Sequence, residues 1–468
     1  MSEFPNMKEK KTMGNPHAVM VPFPAQGHVL PMMEFSLLLV KNGVKVTFVN
    51  TDFNHQRVLK SLPEGDNIHE MLNMVSISDG LEPWEDRDEA SGKLPEAIIR
   101  VMPGELEALI ERLVGNGGED ENLCVIAEWS MGWVLEIAEK MELKRAAFWP
   151  AAAALLALSL SIPKLVDDGI IDNDGRPLKN QMVQLSPTMP FMNPVNFYWT
   201  TVLDPHVQKI FFHFMNRSNH SIKLTDWLLC NSSYELEQGT LSAFPCMLPI
   251  GPLLAKNRLG KSVGFFWKED SCCMEWLDKQ PSNSVIYVAF GSIAVFDQTQ
   301  FEELTLGLEL TNRPFLWVVR QDMATGSGNA YPEGFEDRVR ERGRIVGWSP
   351  QQQVLSHPSV TCFISHCGWN STVEGIGNGV PFLCWPYSAD QFFNQTYICD
   401  EWKVGLELCK DETGIIRREE IKDKVEQLLT VERFKERAKN LQEKIVYGVR
   451  QGNSHQNFHK FVEWIKEH

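Results

Sequence analysis

The chain has 468 residues, of which 43% are hydrophobic and 10% are aromatic. It is therefore long enough for two well-packed domains and too long for one hydrophobic core. Lys and Arg number 45 against 61 Asp and Glu, a net charge of -16. Because this acidic balance repels nucleic acid and anionic lipid, we expect neither as a partner.

Cysteine usage and the N-terminus indicate the compartment. The chain has 10 Cys, and their spacing is not the paired spacing of a zinc site or a disulfide framework. Such scattered cysteines are typical of reduced thiols in a cytosolic protein. The start, MSEFPNMKEKKTMGNPH, has no apolar stretch of a secretory signal. The longest uncharged run, 146–163, is interrupted at Pro150, and the rest is shorter than the ~20 residues of a membrane span. We interpret it as a buried strand followed by a buried helix, and expect a cytoplasmic protein with no membrane span.

Two segments share one pattern. HAVMVPFPAQGHVLPMMEFSLLLVKNGVKVTFVNT, from His17, predicts a strand, a Gly-containing loop, a helix and a β-branched strand. VIYVAFGSIAVFDQTQFEELTLGLELTNRPFLWVVR, from Val285, predicts the same order. Each unit is typical of the start of a parallel sheet, so we predict two α/β domains.

The boundary between the domains is predicted in 249–266, a segment rich in Pro, Gly and Lys. Further strands are expected at 360–365 and 380–386, and further helices at 298–311 and 417–446. The last segment, SHQNFHKFVEWIKEH, has apolar residues on one face of a helix and must bury that face. The predicted organisation is an N-terminal domain at 1–250, a C-terminal domain at 251–450, and a terminal helix at 451–468 that packs back on the N-terminal domain.

The stretch FISHCGWNSTVEGIGNGVPFLCWP, 363–386, combines an apolar strand, a turn at Gly368 and a helix that opens at Trp369. A helix N-terminus after a parallel strand presents free N–H groups and the positive end of the helix dipole, which suits a phosphate. Asn370, Ser371 and His366 can add side-chain donors. The stretch therefore predicts a pyrophosphate-binding turn.

Structural interpretations of the same residues stay open at this point. Ser371 and Glu374 have the spacing of a capping box, which serves helix initiation without any ligand. Trp348, Trp369 and Trp385 can equally be core aromatics.

The segment Trp348 to Gln391, WSPQQQVLSHPSVTCFISHCGWNSTVEGIGNGVPFLCWPYSADQ, resembles the signature of the plant family 1 UDP-sugar glycosyltransferases, the plant secondary product motif. PFPAQGHVLPM and VIYVAFGS are also similar to that family, so the resemblance runs from about His17 to the C-terminus. It implies the GT-B fold, an α/β architecture in which two Rossmann-like domains face each other across a cleft. The N-terminal domain would bind the acceptor and the C-terminal domain the UDP-sugar.

The resemblance also implies a set of donor-binding residues. Those expected at the uridine are Trp348, stacked on uracil, the Ser349 backbone, and Gln351 and Glu374 at the ribose. Those expected at the diphosphate are Ser292, His366, Asn370 and Ser371. Those expected at the sugar hydroxyls are Trp369, Asp390 and Gln391.

The expected catalytic pair is His28 and Glu128. His28, in PAQGHVLPM, resembles the family's catalytic histidine, and imidazole can take a proton from a hydroxyl near neutral pH. Without the resemblance, a buried structural His at a helix start would be the better interpretation. The family has an Asp where this chain has Glu128, and the longer arm must be accommodated. The alternative function is therefore a UDP-sugar-binding relative with impaired catalysis.

The implied reaction is inverting transfer of a sugar, most simply glucose, from a UDP-sugar to a hydroxyl of a hydrophobic phenolic, flavonoid or terpenoid. UDP-glucose is a co-substrate, and we expect no cofactor, no metal and a monomer. The segment 182–199 is aromatic and rich in Met, which suits either a loop over an apolar acceptor pocket or a loop that covers the core.

Two other enzyme classes fit the residues less well. A nicotinamide dehydrogenase would need GxGxxG at the first strand-helix turn, where PFPAQGH stands. A metal-dependent glycosyltransferase would use an Asp-x-Asp, and Asp172-Asn173-Asp174 has those letters. That triplet lies in IIDNDGRP, however, a composition that predicts a turn.

Overall fold

The computed structural model describes residues 16–61, 70–85, 87, 92–115, 122–201, 204–254, 264–320, 323 and 331–467. Two parallel sheets, each flanked by helices, organise these residues. Strands such as HAVMV and VIYVA are buried along their whole length. This is the pattern expected where helices cover both faces of a parallel sheet.

The first sheet is formed by strands from the N-terminal half of the chain. These strands are β1 (His17–Val21), β2 (Lys45–Thr51), β3 (Leu72–Ile77), β4 (Leu123–Glu128), β5 (Lys144–Trp149), β6 (Trp227–Cys230) and β7 (Leu248–Pro249). Within the described residues the order is β3-β2-β1-β4-β5-β6-β7, and all neighbours are parallel. The chain order reverses direction between β1 and β4, so the carboxyl ends of these two strands flank a crevice.

The second sheet follows in the C-terminal half. Its strands are β8 (Val285–Ala289), β9 (Phe315–Val318), β10 (Gly343–Val346), β11 (Val360–Ser365), β12 (Phe382–Cys384) and β13 (Gly405–Glu407). For the described part of the chain the order is β10-β9-β8-β11-β12-β13, again parallel throughout. The two predicted strand-helix-strand units and the strand at 360–365 are therefore confirmed.

Helices connect the strands of both sheets. In the N-terminal half they are α1 (Gln26–Lys41), α2 (Asp52–Ser61), α3 (Lys93–Gly115), α4 (Trp133–Lys140), α5 (Ala153–Leu160), α6 (Ile162–Asp167), α7 (Pro205–Ser221) and α8 (Tyr234–Ala243). In the C-terminal half they are α9 (Cys272–Leu277), α10 (Gln298–Leu310), α11 (Phe335–Val339), α12 (Gln351–Leu355), α13 (Trp369–Gly377), α14 (Gln391–Thr396), α15 (Arg418–Thr430), α16 (Glu432–Arg450) and α17 (Asn453–Lys466).

Two sequence expectations about helices have different outcomes. The uncharged run at 146–163 forms β5 and α5, as interpreted from Pro150. The single helix expected at 417–446 is wrong, because α15 ends before Val431, whose extended backbone separates it from α16. None of the helices formed by the described residues combines the length and apolar character that a bilayer crossing requires.

The last helix, α17, packs against the first sheet. Phe461 is fully buried, and its ring centroid lies 5.9 Å from that of Phe35 and 5.5 Å from that of Trp227. The side chain of Lys144, at the start of β5, donates to the carbonyl of Trp464 at 2.7 Å. The C-terminus of the chain thus contributes to the core of the N-terminal half.

Removing the aromatic ring of Phe461, which lies at the centre of this contact, should destabilise the protein. We expect Phe461→Ala to lower the free energy of unfolding by about 3–5 kcal/mol, through lost burial and the cavity left behind. Urea unfolding followed by circular dichroism measures the change. Glu463→Ala, on the exposed side of the same helix, is the matched control and should leave the midpoint nearly unchanged. Equal shifts of the unfolding midpoint in both variants would contradict the packing of α17 through Phe461.

Candidate active site

His28 and Glu128 meet where the two central strands of the first sheet end. His28 lies in the first turn of α1, directly after the loop that follows β1. Glu128 is the last residue of β4, the strand paired with β1, and Val21 is in register with Ala127. Because neighbouring parallel strands end at one edge of a sheet, residues a hundred positions apart in the chain are brought together here.

The contact is specific in its atoms. His28 Nδ1 lies 3.3 Å from Glu128 Oε1, and the histidine side chain is 30% exposed while the carboxylate is 1% exposed. The other carboxylate oxygen, Oε2, accepts hydrogen bonds from the Ser130 backbone N–H at 3.1 Å and from the Ser130 hydroxyl. The Glu128 side chain thus reaches His28 despite its extra methylene, and Ser130 fixes its orientation.

His28 also faces the C-terminal half of the protein. Burial raises the pKa of Asp390, whereas hydrogen bonds from Asn394 and Trp369 and the nearby charge of His28 lower it. Asp390 Oδ2 accepts from the backbone N–H of Trp369 at 3.0 Å and from Asn394 Nδ2 at 2.7 Å. The predicted catalytic histidine and a predicted sugar-binding carboxylate, which belong to different halves of the protein, therefore lie close enough for their charges to interact.

The turn between β11 and α13 brings the two halves of the protein into contact. Helix α13 begins at Trp369, with Gly368 as its N-cap. Asn370, in the first turn, donates from Nδ2 to the carbonyl of Gly27 at 2.9 Å. Because Gly27 lies in the first turn of α1, the N-termini of α1 and α13 lie side by side at the cleft, and their positive dipole ends favour an anion there.

The capping-box interpretation of this turn is wrong. A capping box would place Ser371 before the helix, but Ser371 is the third residue of α13. Its hydroxyl accepts instead from Gln351 Nε2 at 2.9 Å. Glu374 also receives a hydrogen bond from Gln351, at 2.8 Å, and one from Gln352 at 3.0 Å. Neither side chain is therefore needed to start the helix.

Gln351 is the centre of a polar network below the cleft. Besides its two donations, its Oε1 accepts from the Tyr287 hydroxyl at 3.1 Å, and that hydroxyl is 2.8 Å from Ser349 Oγ. Ser349 and Glu374 are buried. The network thus orients in advance the residues expected at the uridine.

His366 lies between two glycines. A Cβ added at Gly291 or at Gly368 would lie 2.6 Å from His366 Nε2, so the ring fits only because both positions lack a side chain. Burial, with a smaller contribution from the charge of Arg320, lowers the pKa of His366 to about 4, although a hydrogen bond with the Ala289 backbone opposes the shift. The imidazole is therefore neutral at pH 7. Ser292, next to Gly291, lies partly exposed in the same loop after β8.

The tryptophans of the signature have different environments. Trp385 is a core aromatic, buried with its ring centroid 5.4 Å from that of Phe290. The indole N–H of Trp369 donates to the carbonyl of Asn231 at 2.7 Å, and its backbone N–H donates to Asp390. Trp348 is partly exposed, at the end of the loop after β10.

Gln391, at the start of α14, is also anchored. Its Oε1 accepts from the backbone N–H groups of Tyr387 at 2.7 Å and Ser388 at 3.0 Å. These bonds use the carbonyl of the carboxamide and leave the Nε2 group as the donor for a ligand.

Two further segments, 172–174 and 182–199, make contacts within the N-terminal half. Asp172 N donates to Arg176 O at 2.9 Å, and Asp172 Oδ1 accepts from the N–H of Asp174, so this segment is a turn. In the segment 182–199, Trp199 is fully buried, and Tyr198 is hydrogen-bonded to Ser159 at 2.7 Å. The end of this loop therefore covers the core. Across the ranges that the structure describes, no group of three or more His, Cys, Asp or Glu side chains is placed to hold a metal ion.

Several residues of the site were not found from sequence. Ser130 and Tyr287 act through contacts with Glu128 and Gln351, and Asn394 donates to the carbonyl of Cys367 at 2.8 Å as well as to Asp390. Ser130 could have been found from a local pattern, because it lies two residues after a carboxylate at the end of a strand, where short polar side chains often cap turns. The other two depend on tertiary placement.

Comparison with known proteins identifies the family. Residues 266–444 match the model described as UDP-glucoronosyl and UDP-glucosyl transferase, and residues 17–76 match the glycosyltransferase N-terminal domain. UDP-glycosyltransferase 83A1 of Arabidopsis thaliana is 46% identical over 97% of this chain and 98% of its own. The chain therefore belongs to the UDP-glycosyltransferase family and is a glycosyltransferase.

Solved structures give the same result for the fold. A UDP-glucosyltransferase from Polygonum tinctorium capable of glucosylating indoxyl superposes with a TM-score of 0.81 at 25% identity, covering 98% of this chain and 100% of that one. A transferase of Phytolacca americana, complexed with UDP-2fluoro-glucose and pterostilbene, has a TM-score of 0.79 at 25% identity, with 97% and 100% covered. The fold is thus GT-B, with two Rossmann-like domains, and the enzyme transfers a sugar from a UDP-sugar to a small molecule.

Proposed function

We propose that this enzyme is an inverting glucosyltransferase that uses UDP-glucose to modify a hydroxyl of a hydrophobic small molecule. The observation that carries the proposal is the contact of 3.3 Å between His28 Nδ1 and Glu128 Oε1 at the edge of the cleft. With Nδ1 facing the carboxylate, Nε2 is the nitrogen that takes the acceptor proton. The acceptor oxygen then bonds to the anomeric carbon as the bond from that carbon to the diphosphate oxygen breaks and UDP leaves.

The carboxylate of Glu128 has a defined role in this step. When Nε2 takes the proton, the imidazole becomes a cation, and a buried negative charge beside it stabilises that cation. The stabilisation is larger in the transition state than in the ground state, so it accelerates the chemical step. This contact argues against the alternative of a UDP-sugar-binding relative with impaired catalysis.

The acceptor is proposed to be apolar around its hydroxyl. The ring of Phe23 lies 5.1 Å from that of His28. Phe23 also lines a recess together with Leu94, Pro95, Val207 and Phe211, all apolar. This recess is too small to enclose a whole acceptor, but a phenolic, flavonoid or terpenoid with its hydroxyl at His28 would place its apolar body against the Phe23 side of the site, since small-molecule sites combine apolar walls with few polar groups.

The donor is proposed to bind at the C-terminal sheet. Uracil stacks on Trp348 with its edge at the Ser349 backbone, and Gln351 and Glu374 hold the ribose. The diphosphate lies at the N-terminus of α13, with Ser292, His366, Asn370 and Ser371 as donors. Asp390 and Gln391 contact the sugar hydroxyls, and Trp369, also expected there, lies beside them. Both N–H groups of Trp369 are engaged within the protein, so its part is to position Asp390 through the bond of 3.0 Å.

Further features complete the proposal. The proposed division of the chain is an acceptor domain at 1–250, a donor domain at 251–450 and a terminal segment at 451–468, whose helix α17 packs on the acceptor domain. Helix dipoles and neutral donors stabilise the leaving diphosphate, so the reaction is proposed to be independent of metal. The enzyme is proposed to be a cytoplasmic monomer of plant secondary metabolism.

One prediction concerns the ribose. Because Glu374 is buried and oriented by Gln351 and Gln352, its carboxylate is poised to accept from the two ribose hydroxyls. We expect Glu374→Ala to weaken UDP binding by about 10-fold or more, the scale of lost hydrogen bonds to a charged group. Isothermal titration with UDP and with 2′,3′-dideoxy-UDP measures it. The dideoxy ligand should bind both forms of the protein equally, and an equal loss for both ligands would contradict the ribose contact.

A second prediction concerns the sugar. Gln in this position resembles glucose users in the family, where His is associated with galactose. UDP-glucose should therefore exceed UDP-galactose in kcat/KM, and Gln391→Ala should lower kcat/KM for UDP-glucose by about 10-fold, since its Nε2 donor is lost. A direct competition between the two donors measures the preference. Equal or reversed preference would overturn this assignment.

The function as a whole is tested with a mixture of aglycones. Purified protein, UDP-glucose and a library of phenols, flavonoids and terpenoid alcohols are combined, and the products are analysed by mass spectrometry. We expect masses increased by one hexose for a subset of apolar hydroxylated compounds. UDP binding without any such product would favour the binding-protein alternative.

A further inference from the structure

The segment 264–270 crosses from one half of the protein to the other beside the donor site. Its first residues are fixed to the N-terminal half. Gln26, at the start of α1, donates from Nε2 to the Gly264 carbonyl at 3.3 Å and accepts at Oε1 from the N–H of Phe266 at 2.7 Å. The hydroxyl of Ser61, in α2, donates to the Phe265 carbonyl at 2.7 Å. This end of the segment is thus held by two helices.

The other end is fixed to the C-terminal half at the tryptophan assigned to uracil. The N–H of Asp270 donates to the carbonyl of Trp348 at 2.9 Å. The ring centroids of Trp267 and Trp348 are 4.6 Å apart, with the planes inclined by 22°, which is a stacked pair. One face of Trp348 is therefore covered by an indole from the connecting segment.

Arg57 of α2 extends this stack. Its guanidinium carbon lies 4.8 Å from the ring centroid of Trp267 and 4.5 Å from that of Phe266. The side chain is partly buried, which lowers the pKa of Arg57. Among the described residues no carboxylate forms an ion pair with Arg57, and its guanidinium lies over the rings of Phe53, Phe266 and Trp267. A desolvated guanidinium on an aromatic face is a favourable cation–π contact, and it fixes the plane of the ring.

We propose that Trp267, held by Arg57, is a positioning residue for the nucleobase of the donor. The three side chains form an aromatic bridge, Arg57–Trp267–Trp348, and the uracil stacks on the face of Trp348 opposite Trp267. This inference rests on the proposed donor site. Trp348 follows an edge strand in a loop, and an unsupported indole there would lose rotamer freedom on binding. The bridge removes that cost before the donor arrives, so it contributes to affinity by preorganisation.

The bridge also joins the two domains through the base-binding group. Arg57 lies in α2, in the N-terminal half of the protein, and Trp348 lies in the C-terminal half. A change in the relative position of the two domains would therefore shift Trp267 and Arg57 relative to Trp348. The expected consequence is that loss of the bridge affects uridine binding and not the chemical step.

The test measures binding and turnover separately. In Trp267→Leu we expect the affinities for UDP and for uridine, by isothermal titration, to fall by the same factor of about 5. The KM for UDP-glucose should rise by a similar factor, while kcat and the KM of the acceptor stay unchanged. Trp267→Phe, which keeps an aromatic face, should restore affinity to within about 2-fold. Arg57→Met, which keeps the length and loses the charge, should lower uridine affinity by about 2- to 5-fold.

Controls distinguish the possible failures. Trp84→Leu, at a tryptophan that is 80% exposed, is the matched substitution and should bind uridine like the wild type. If Trp348→Ala weakens uridine binding and Trp267→Leu and Arg57→Met do not, the bridge is refuted while the donor site stands. If Trp348→Ala has no effect on uridine, the donor site itself is wrong. Tighter uridine binding in Trp267→Leu, or no recovery in Trp267→Phe, would also overturn the inference.

Discussion

Replacing His28 with alanine should lower the turnover number of glycosyl transfer by about 100-fold or more, the usual contribution of a positioned general base. The imidazole lies at the loop-to-helix turn after β1, with Nδ1 3.3 Å from Glu128. Without it, the acceptor hydroxyl has no group to take its proton as the new bond forms. Initial rates at saturating UDP-glucose, with one phenol and one aliphatic alcohol, measure the loss.

The same variant should bind UDP nearly as the wild type does, because the residues proposed to contact the uridine and the diphosphate belong to the other domain. His459→Ala, at an exposed histidine of α17, is the matched control and should keep full activity. The aliphatic alcohol should lose more rate than the phenol, since it is the weaker acid and depends more on the base. A phenol that is still glycosylated at the wild-type rate by His28→Ala would remove His28 from the mechanism.

Replacing Glu128 with glutamine should lower kcat by about 10-fold or more and leave UDP affinity unchanged, because the charge that stabilises the imidazolium is lost while the shape is kept. Glu128→Asp keeps the charge and shortens the arm to that of the family. It should therefore retain more activity than the glutamine variant, on both the phenol and the alcohol.

This order of activities separates charge from geometry. Ser130→Ala is the companion variant, since Ser130 donates to Glu128 Oε2 through its N–H and hydroxyl, and only the hydroxyl is removed. A smaller loss of kcat than in Glu128→Gln is expected. If Glu128→Gln is silent on both acceptors, Glu128 is not part of the catalytic pair, and His28 acts without it.

The strand-helix-strand units were predictable because parallel strands covered on both faces are continuous apolar runs, as in HAVMV and VIYVA. The break between the two helices at Val431 was not predictable, since the amphipathic pattern of α15 continues into α16 across one extended residue. The capping box failed for a related reason. The letters Ser-x-x-Glu match wherever the helix begins, and here Gly368 is the N-cap.

For the candidate site, sequence predicted the turn at 366–371 and the pair His28 and Glu128, and the structure places these two side chains in contact. What the sequence lacked were contacts between distant segments, such as Asn370 with Gly27 at 2.9 Å. These depend on how the two sheets face each other, and no local pattern encodes that. The contact of Glu128 with His28 also depends on tertiary placement. The Glu128 side chain is one methylene longer than the family's Asp, and it can make the contact only because of where β4 ends beside α1.

The stereochemistry of the product tests the central claim most directly. Direct displacement at the anomeric carbon, with His28 as the base, inverts the α linkage of UDP-glucose. Proton NMR of the glycoside isolated from a wild-type reaction should therefore show the large anomeric coupling of a β-glucoside on oxygen. An α-glucoside would contradict the single displacement on which the roles of His28 and Glu128 depend.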